Sequence, residues 1–145
     1  MVAFTKINDF TLDLGSKVHN LGADSLQLAL SNTAPASEAS NPTADGNGVV
    51  ANVTQVAYTN VSGGQPTLAS VTWTLSAGVA TLDAADEIIL ASGGAVPTFR
   101  YVYLFNNTAT ADEVIGLWDA GAAIDLADGA QTTVTFSAAG ILTNT

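Results

Sequence analysis

The sequence has no cysteine, one histidine and only three strongly basic residues, Lys6, Lys17 and Arg100. Each shortage closes a class of chemistry. Without cysteine there is no disulfide framework, no thiol nucleophile and no need for an oxidising compartment. One histidine beside no cysteine leaves too few ligands for a zinc site. Three scattered bases against 13 acids, a net charge of −10, do not neutralise a run of phosphates, so no nucleic acid is expected as a partner. The same deficit argues against an anionic membrane surface. No stretch approaches the roughly 18 apolar residues that cross a bilayer, so no membrane partner is expected. The opening Met1-Val2-Ala3-Phe4-Thr5-Lys6 lacks the apolar run of a signal peptide, and Asp9 and Asp13 follow closely. The expectation is a chain made in a cytoplasm.

Charge of either sign is itself scarce. Charged residues make up 11% of the 145, where about 25% is usual, and Ala, Thr, Ser, Asn and Gly take their place. Such a surface suits a chain packed against neighbours, where desolvating Lys or Glu is costly. The plainer reading is an Ala-rich domain, and composition alone does not separate the two.

The pattern predicts a single domain over 1–145, with a helical segment at 1–22, a long polar loop at 34–48 and a β-rich core at 49–145. Phe4, Ile7, Phe10, Leu14, Val18 and Leu21 recur at helical spacing, with Gly22 as a stop signal. Leu26, Leu28 and Leu30 then alternate as a half-buried strand. Ala34 to Gly48 is a candidate contact segment, with plain solvation the competing reading. Val53 to Tyr58 fits either a strand or a short helix. Gly63-Gly64-Gln65-Pro66 is a turn. Val71, Trp73 and Leu75 alternate and lead through Ala77-Gly78 into Val79–Leu82, a hairpin. Further strands are expected at Ile88–Leu90, Thr98–Phe105, Val114–Trp118, Ala122–Leu126 and Thr132–Phe136, with Asp128-Gly129 as a turn. The predicted fold is mainly β, an antiparallel sandwich or barrel with a short N-terminal helix.

Catalytic, cofactor-binding and metal residues are all expected to be absent. His19, with no nucleophile motif nearby, is expected at the helix end, where imidazole meets the C-terminal dipole. Asp83, Asp86 and Glu87 form the densest acidic cluster; paired acids about 5–9 Å apart cleave glycosides, but a solvated turn is the plainer reading, as it is for Asp112-Glu113. Asp125 and Asp128 lack the spaced acids of a calcium loop. Gly46-Asn47-Gly48, Gly63-Gly64 and Gly93-Gly94 have no P-loop lysine. The tripeptides headed by Asn52, Asn60 and Asn106 matter only in a secreted chain. Trp73, Trp118 and the aromatics of Phe99–Phe105 suit either a sugar platform or, more simply, a β core.

Several strings resemble a family of small tailed-bacteriophage virion proteins. They are Phe4-Thr5-Lys6-Ile7-Asn8-Asp9-Phe10, Val18-His19-Asn20-Leu21-Gly22, Leu28-Ala29-Leu30-Ser31-Asn32-Thr33-Ala34-Pro35, Phe99-Arg100-Tyr101-Val102, Asn106-Asn107-Thr108, Ile115-Gly116-Leu117-Trp118-Asp119-Ala120-Gly121 and Leu126-Ala127-Asp128-Gly129. The likeness runs in order over most of the chain and is weakest at 37–48 and 62–91. It implies a structural role and carries no active-site residues. The expectation is a capsid decoration (cement) protein on the outer surface of the virion. Its partners would be the major capsid protein and itself, as a homotrimer. The alternative is a tail-tip or fibre component contacting a host surface glycan.

Overall fold

Runs of Val, Ile, Thr and aromatic residues broken by Gly and Asx turns favour pleated strands over helices, and the chain is mainly β. The computed structural model describes residues 3–35 and 48–145. Its elements are β1 (Thr5–Lys6), α1 (Asp9–Gly15), β2 (Leu26–Ser31), a 3-10 turn (Val50–Asn52), β3 (Thr72–Ser76), β4 (Val79–Asp83), β5 (Glu87–Leu90), β6 (Val96–Asn106), β7 (Val114–Leu126), β8 (Gln131–Val134) and β9 (Leu142–Asn144). Three antiparallel sheets form, in the orders β1-β7-β6-β2, β3-β4-β9 and β5-β8. The architecture is sandwich-like and no barrel closes. The polar loop expected at 34–48 lies outside the described residues, apart from its ends.

The long pair β6–β7 is the spine. Phe99, Tyr101, Tyr103 and Phe105 are buried as expected, but so are Val102, Leu104 and Asn106 on the opposite face. Both faces of β6 therefore pack inward. At about 1.5–3 kcal/mol for each large apolar side chain removed from water, this strand contributes more to the core than any other. The two strands expected at Val114–Trp118 and Ala122–Leu126 are one strand, because a bulge rather than a turn separates them. Tyr101 faces Asp119 while Phe99 faces Ile124, so the extra residues on β7 loop out around Gly121, whose φ is 81°. Arg100 grips the bulge, donating from Nε to Asp119 Oδ1 at 2.7 Å and from Nη2 to Oδ2 at 2.9 Å. The Arg100 hydrogen bonds, and then the Gly121 N–H, hold the Asp119 carboxyl below the usual carboxylate range.

The helix is far shorter than the spacing of Phe4 to Leu21 predicts. At its start, Thr5 and Lys6 pair with Leu117 and Gly116, and the Ile7 N–H donates to Ile115 C=O at 3.1 Å. Sheet pairing wins there because Gly116 lets the chain approach: a methyl at that position would collide with the Phe4 ring and the Thr5 carbonyl. At its end, Lys17 turns left-handed (φ 63°). The Val18 N–H reaches Asp13 C=O at 2.9 Å and the Lys17 N–H reaches Leu14 C=O at 3.3 Å, the bonds of a Schellman cap. The stop is thus Lys17, not Gly22.

β2 is not half-buried. Leu26, Leu28, Ala29, Leu30 and Ser31 are all inside, because segment 55–68 lies along its outer edge. Leu28 donates to Pro66 C=O, Val56 to Leu30 C=O and Leu68 to Leu26 C=O, each at 2.9 Å. Val53–Tyr58, which leads into that segment, is neither strand nor helix; it meets β2 at a Ser31–Gln55 bridge, where the Thr54 C=O accepts the Ser31 hydroxyl and the Tyr58 hydroxyl accepts the Leu30 N–H. β1 and β9 had no counterpart in the sequence pattern.

Candidate functional site

The single histidine sits past the helix end, not on it, because the Schellman cap closes the helix first. His19 is buried, stacked on Phe10 at 5.3 Å between ring centroids. Its Nδ1 lies 3.1 Å from Asn106 Nδ2, which also donates to Asp24 Oδ2 at 2.6 Å. Asn106 Oδ1 accepts the N–H groups of Thr108 and Ala109, which fixes the amide orientation and makes His19 Nδ1 the acceptor. The proton of the neutral ring is then on Nε2, a buried atom without a partner among the described residues. Burial pushes the imidazole below its ordinary 6.5, opposed by the charges of Glu113 and Asp24. This network ties the loop after α1 to the end of β6.

Three of the acidic residues singled out in the sequence, Asp83, Asp86 and Asp128, accept backbone N–H groups. Asp83 Oδ1 accepts the Ala84 N–H and Asp86 Oδ1 accepts the Phe136 N–H at 2.8 Å. Glu87 stands in β5 opposite Val134, its carboxyl raised by burial. Their neighbours are separate. Asp125 accepts the Thr98 hydroxyl, while Asp128 Oδ1 holds the Gly93 and Gly94 N–H groups at 2.9 and 3.2 Å. Among the described residues no group of three His or acidic side chains is placed to hold a metal ion. Asp112, with φ 54°, and Glu113 flank the start of β7.

The aromatic residues are core. Trp118 lies between Phe4 and Phe136, with centroids at 4.6 and 5.4 Å, beside a depression of about 500 Å³. Burial pushes the Tyr103 hydroxyl up to about 12, with Tyr101 adding to the shift. Trp73 alone of the singled-out rings is only half-buried.

Two surface features escaped the sequence reading. The fold gathers Asp9, Asp13 and Glu113 around a groove of about 480 Å³ floored by Gly48 and Val49, with Leu12 71% exposed at its rim. Burial, then Glu113, then Asp9 raise the Asp13 carboxyl. Asp9 is also tied to the Gly48 N–H at 3.1 Å. Only the tertiary fold joins residues about a hundred positions apart, so no local signal announces this groove. The second feature was legible: from Gly46 to Leu82 no Lys, Arg, Asp or Glu occurs, and the β3–β4 hairpin lies within that run.

No protein-family model, curated protein or solved structure matches the chain.

Proposed function

We propose that the chain is a non-enzymatic structural protein of a tailed-phage particle, a capsid decoration protein bound to the outer face of the shell. The observation that carries the reading is surface chemistry. A β framework with net charge −10 keeps most of its aromatics inside and has no charged residue from Gly46 to Leu82; the largely exposed β3 lies in that run, a surface that desolvates cheaply against a neighbour. The ordered likeness to phage virion proteins supports the same class. The acidic groove of Asp9, Asp13 and Glu113 suits a Lys or Arg side chain of the major capsid protein, since complementary charge sets register and speeds encounter. The tail-tip reading needs exposed rings for a glycan, and among the described residues Phe4, Tyr58 and Trp73 are only partly open.

The mechanism is mass action: a ligand that binds the assembled shell and not its separated subunits stabilises it by RT ln(1 + [L]/Kd), about 2.7 kcal/mol per site at a hundredfold excess over Kd. The test adds purified protein to particles that lack it. Saturable binding at a fixed ratio to the major capsid protein, with a rise in shell melting temperature, is expected. Binding without saturation, or an unchanged shell, would count against the reading.

A further inference from the structure

An edge strand exposes a row of unpaired N–H and C=O groups, and proteins usually blunt it by shortness, charge, proline or a covering segment. Most edges here are blunted. β1 has two residues and carries Lys6. The outer edge of β2 is covered by segment 55–68, including Pro66, and that of β5 by the Ser62 N–H, which reaches Leu90 C=O. β8 and β9 run four and three residues.

β3 has none of these devices. It is Thr72-Trp73-Thr74-Leu75-Ser76, paired among the described residues on one side only, with β4, and exposed along most of its length. Every residue in it but Leu and Ser is a strong strand former, and none is charged. Ala77 and Gly78 close the hairpin with φ of 50° and 84°, the two-residue type I′ turn. In such a hairpin Ser76 and Val79 exchange bonds, so backbone groups of Thr72, Thr74 and Ser76 point to β4. Those of Trp73 and Leu75 point outward. Leu75 is 74% exposed although Leu82, on the same face of the sheet, is fully buried. The hairpin tip therefore overhangs the core.

We propose that β3 pairs edge to edge with β3 of a second copy of this chain, antiparallel about a two-fold axis through Thr74. In that register Trp73 stands opposite Leu75 of the other copy, and their outward N–H and C=O groups satisfy one another. Trp73 and Leu75 also meet across the strands on one face, a favourable aromatic–aliphatic pair. Charge selects the occupant. Two copies of a −10 chain repel wherever acids meet, and β3 lies in the longest run free of charge. The contact is isologous, whereas the expected homotrimer needs two different patches that fit each other. The pairing stands apart from attachment to a shell, and its test uses the free chain.

Sedimentation equilibrium of the full-length protein should show a monomer–dimer equilibrium at about 100 µM, in the range of small, weak interfaces. Thr74→Lys and Thr74→Glu each place like charges opposite one another at an exposed position, and each should weaken the dimer by at least about tenfold. Their equimolar mixture should regain it, because residue 74 then meets its opposite charge. Leu75→Lys, at a position open to solvent, should also dissociate the pair. A wild-type monomer at that concentration, variants that dimerise as tightly as wild type, or a mixture no tighter than either variant alone would each overturn the proposal.

Discussion

Trp118→Ala tests the packing account at its centre. The indole is 5% exposed and stands between Phe4 and Phe136, joining β1, β7 and the chain after β8. Truncation removes the transfer energy of a large ring and leaves a cavity that neighbours on rigid strands fill only in part. A cost of about 3–5 kcal/mol follows. The two ring contacts contribute roughly 0.5–1.5 kcal/mol each beyond area, so Phe4→Ala should be partly non-additive with Trp118→Ala. Urea unfolding at equilibrium measures both, and the double-mutant cycle should return a coupling of about 0.5–1.5 kcal/mol. A loss under about 1 kcal/mol at unchanged m-value would refute the assignment of this ring to the core. Lost assembly with intact monomer stability would instead place it at an interface.

Gly116→Ala should destabilise by roughly 1–3 kcal/mol and release β1, read as faster amide exchange at Ile7; unchanged exchange would contradict the close approach. Ala77→Asn should raise stability by about 0.5–1 kcal/mol, since asparagine tolerates the left-handed turn that costs alanine about that much, and thermal melting shows it. For His19, the folded pKa lies below 6.5, so as pH falls through 6.5 the unfolded chain takes up a proton that the folded chain resists. Wild-type stability should therefore decline below that pH, and His19→Gln should flatten the decline in a pH series of urea midpoints; identical slopes would show that the imidazole titrates normally.

How legible was all this in the sequence? Alternation found β3, its turn found β4, and a dense run of aromatic and β-branched residues found β6. It misjudged the N-terminus because Phe4, Ile7 and Phe10 fit a helical stripe, while the deciding fact, the bare backbone at Gly116, is over a hundred residues away. β2 read as half-buried since periodicity cannot see that segment 55–68 covers its edge. The bulge on β7 read as a gap between strands because Asp119-Ala120-Gly121 breaks the run of strand formers. The acidic groove was invisible for the same reason as β1: long-range pairing brings Glu113 beside Asp9 and Asp13. The uncharged run from Gly46 to Leu82 was present in the string and needed only a different question.

Decoration of a shell fixes stoichiometry, and counting copies tests it most directly. Quantitative mass spectrometry of purified particles, with the major capsid protein as internal reference, should give on the order of hundreds of copies in constant proportion to shell subunits, as a symmetric lattice requires. A handful of copies per particle, or none, would contradict the account.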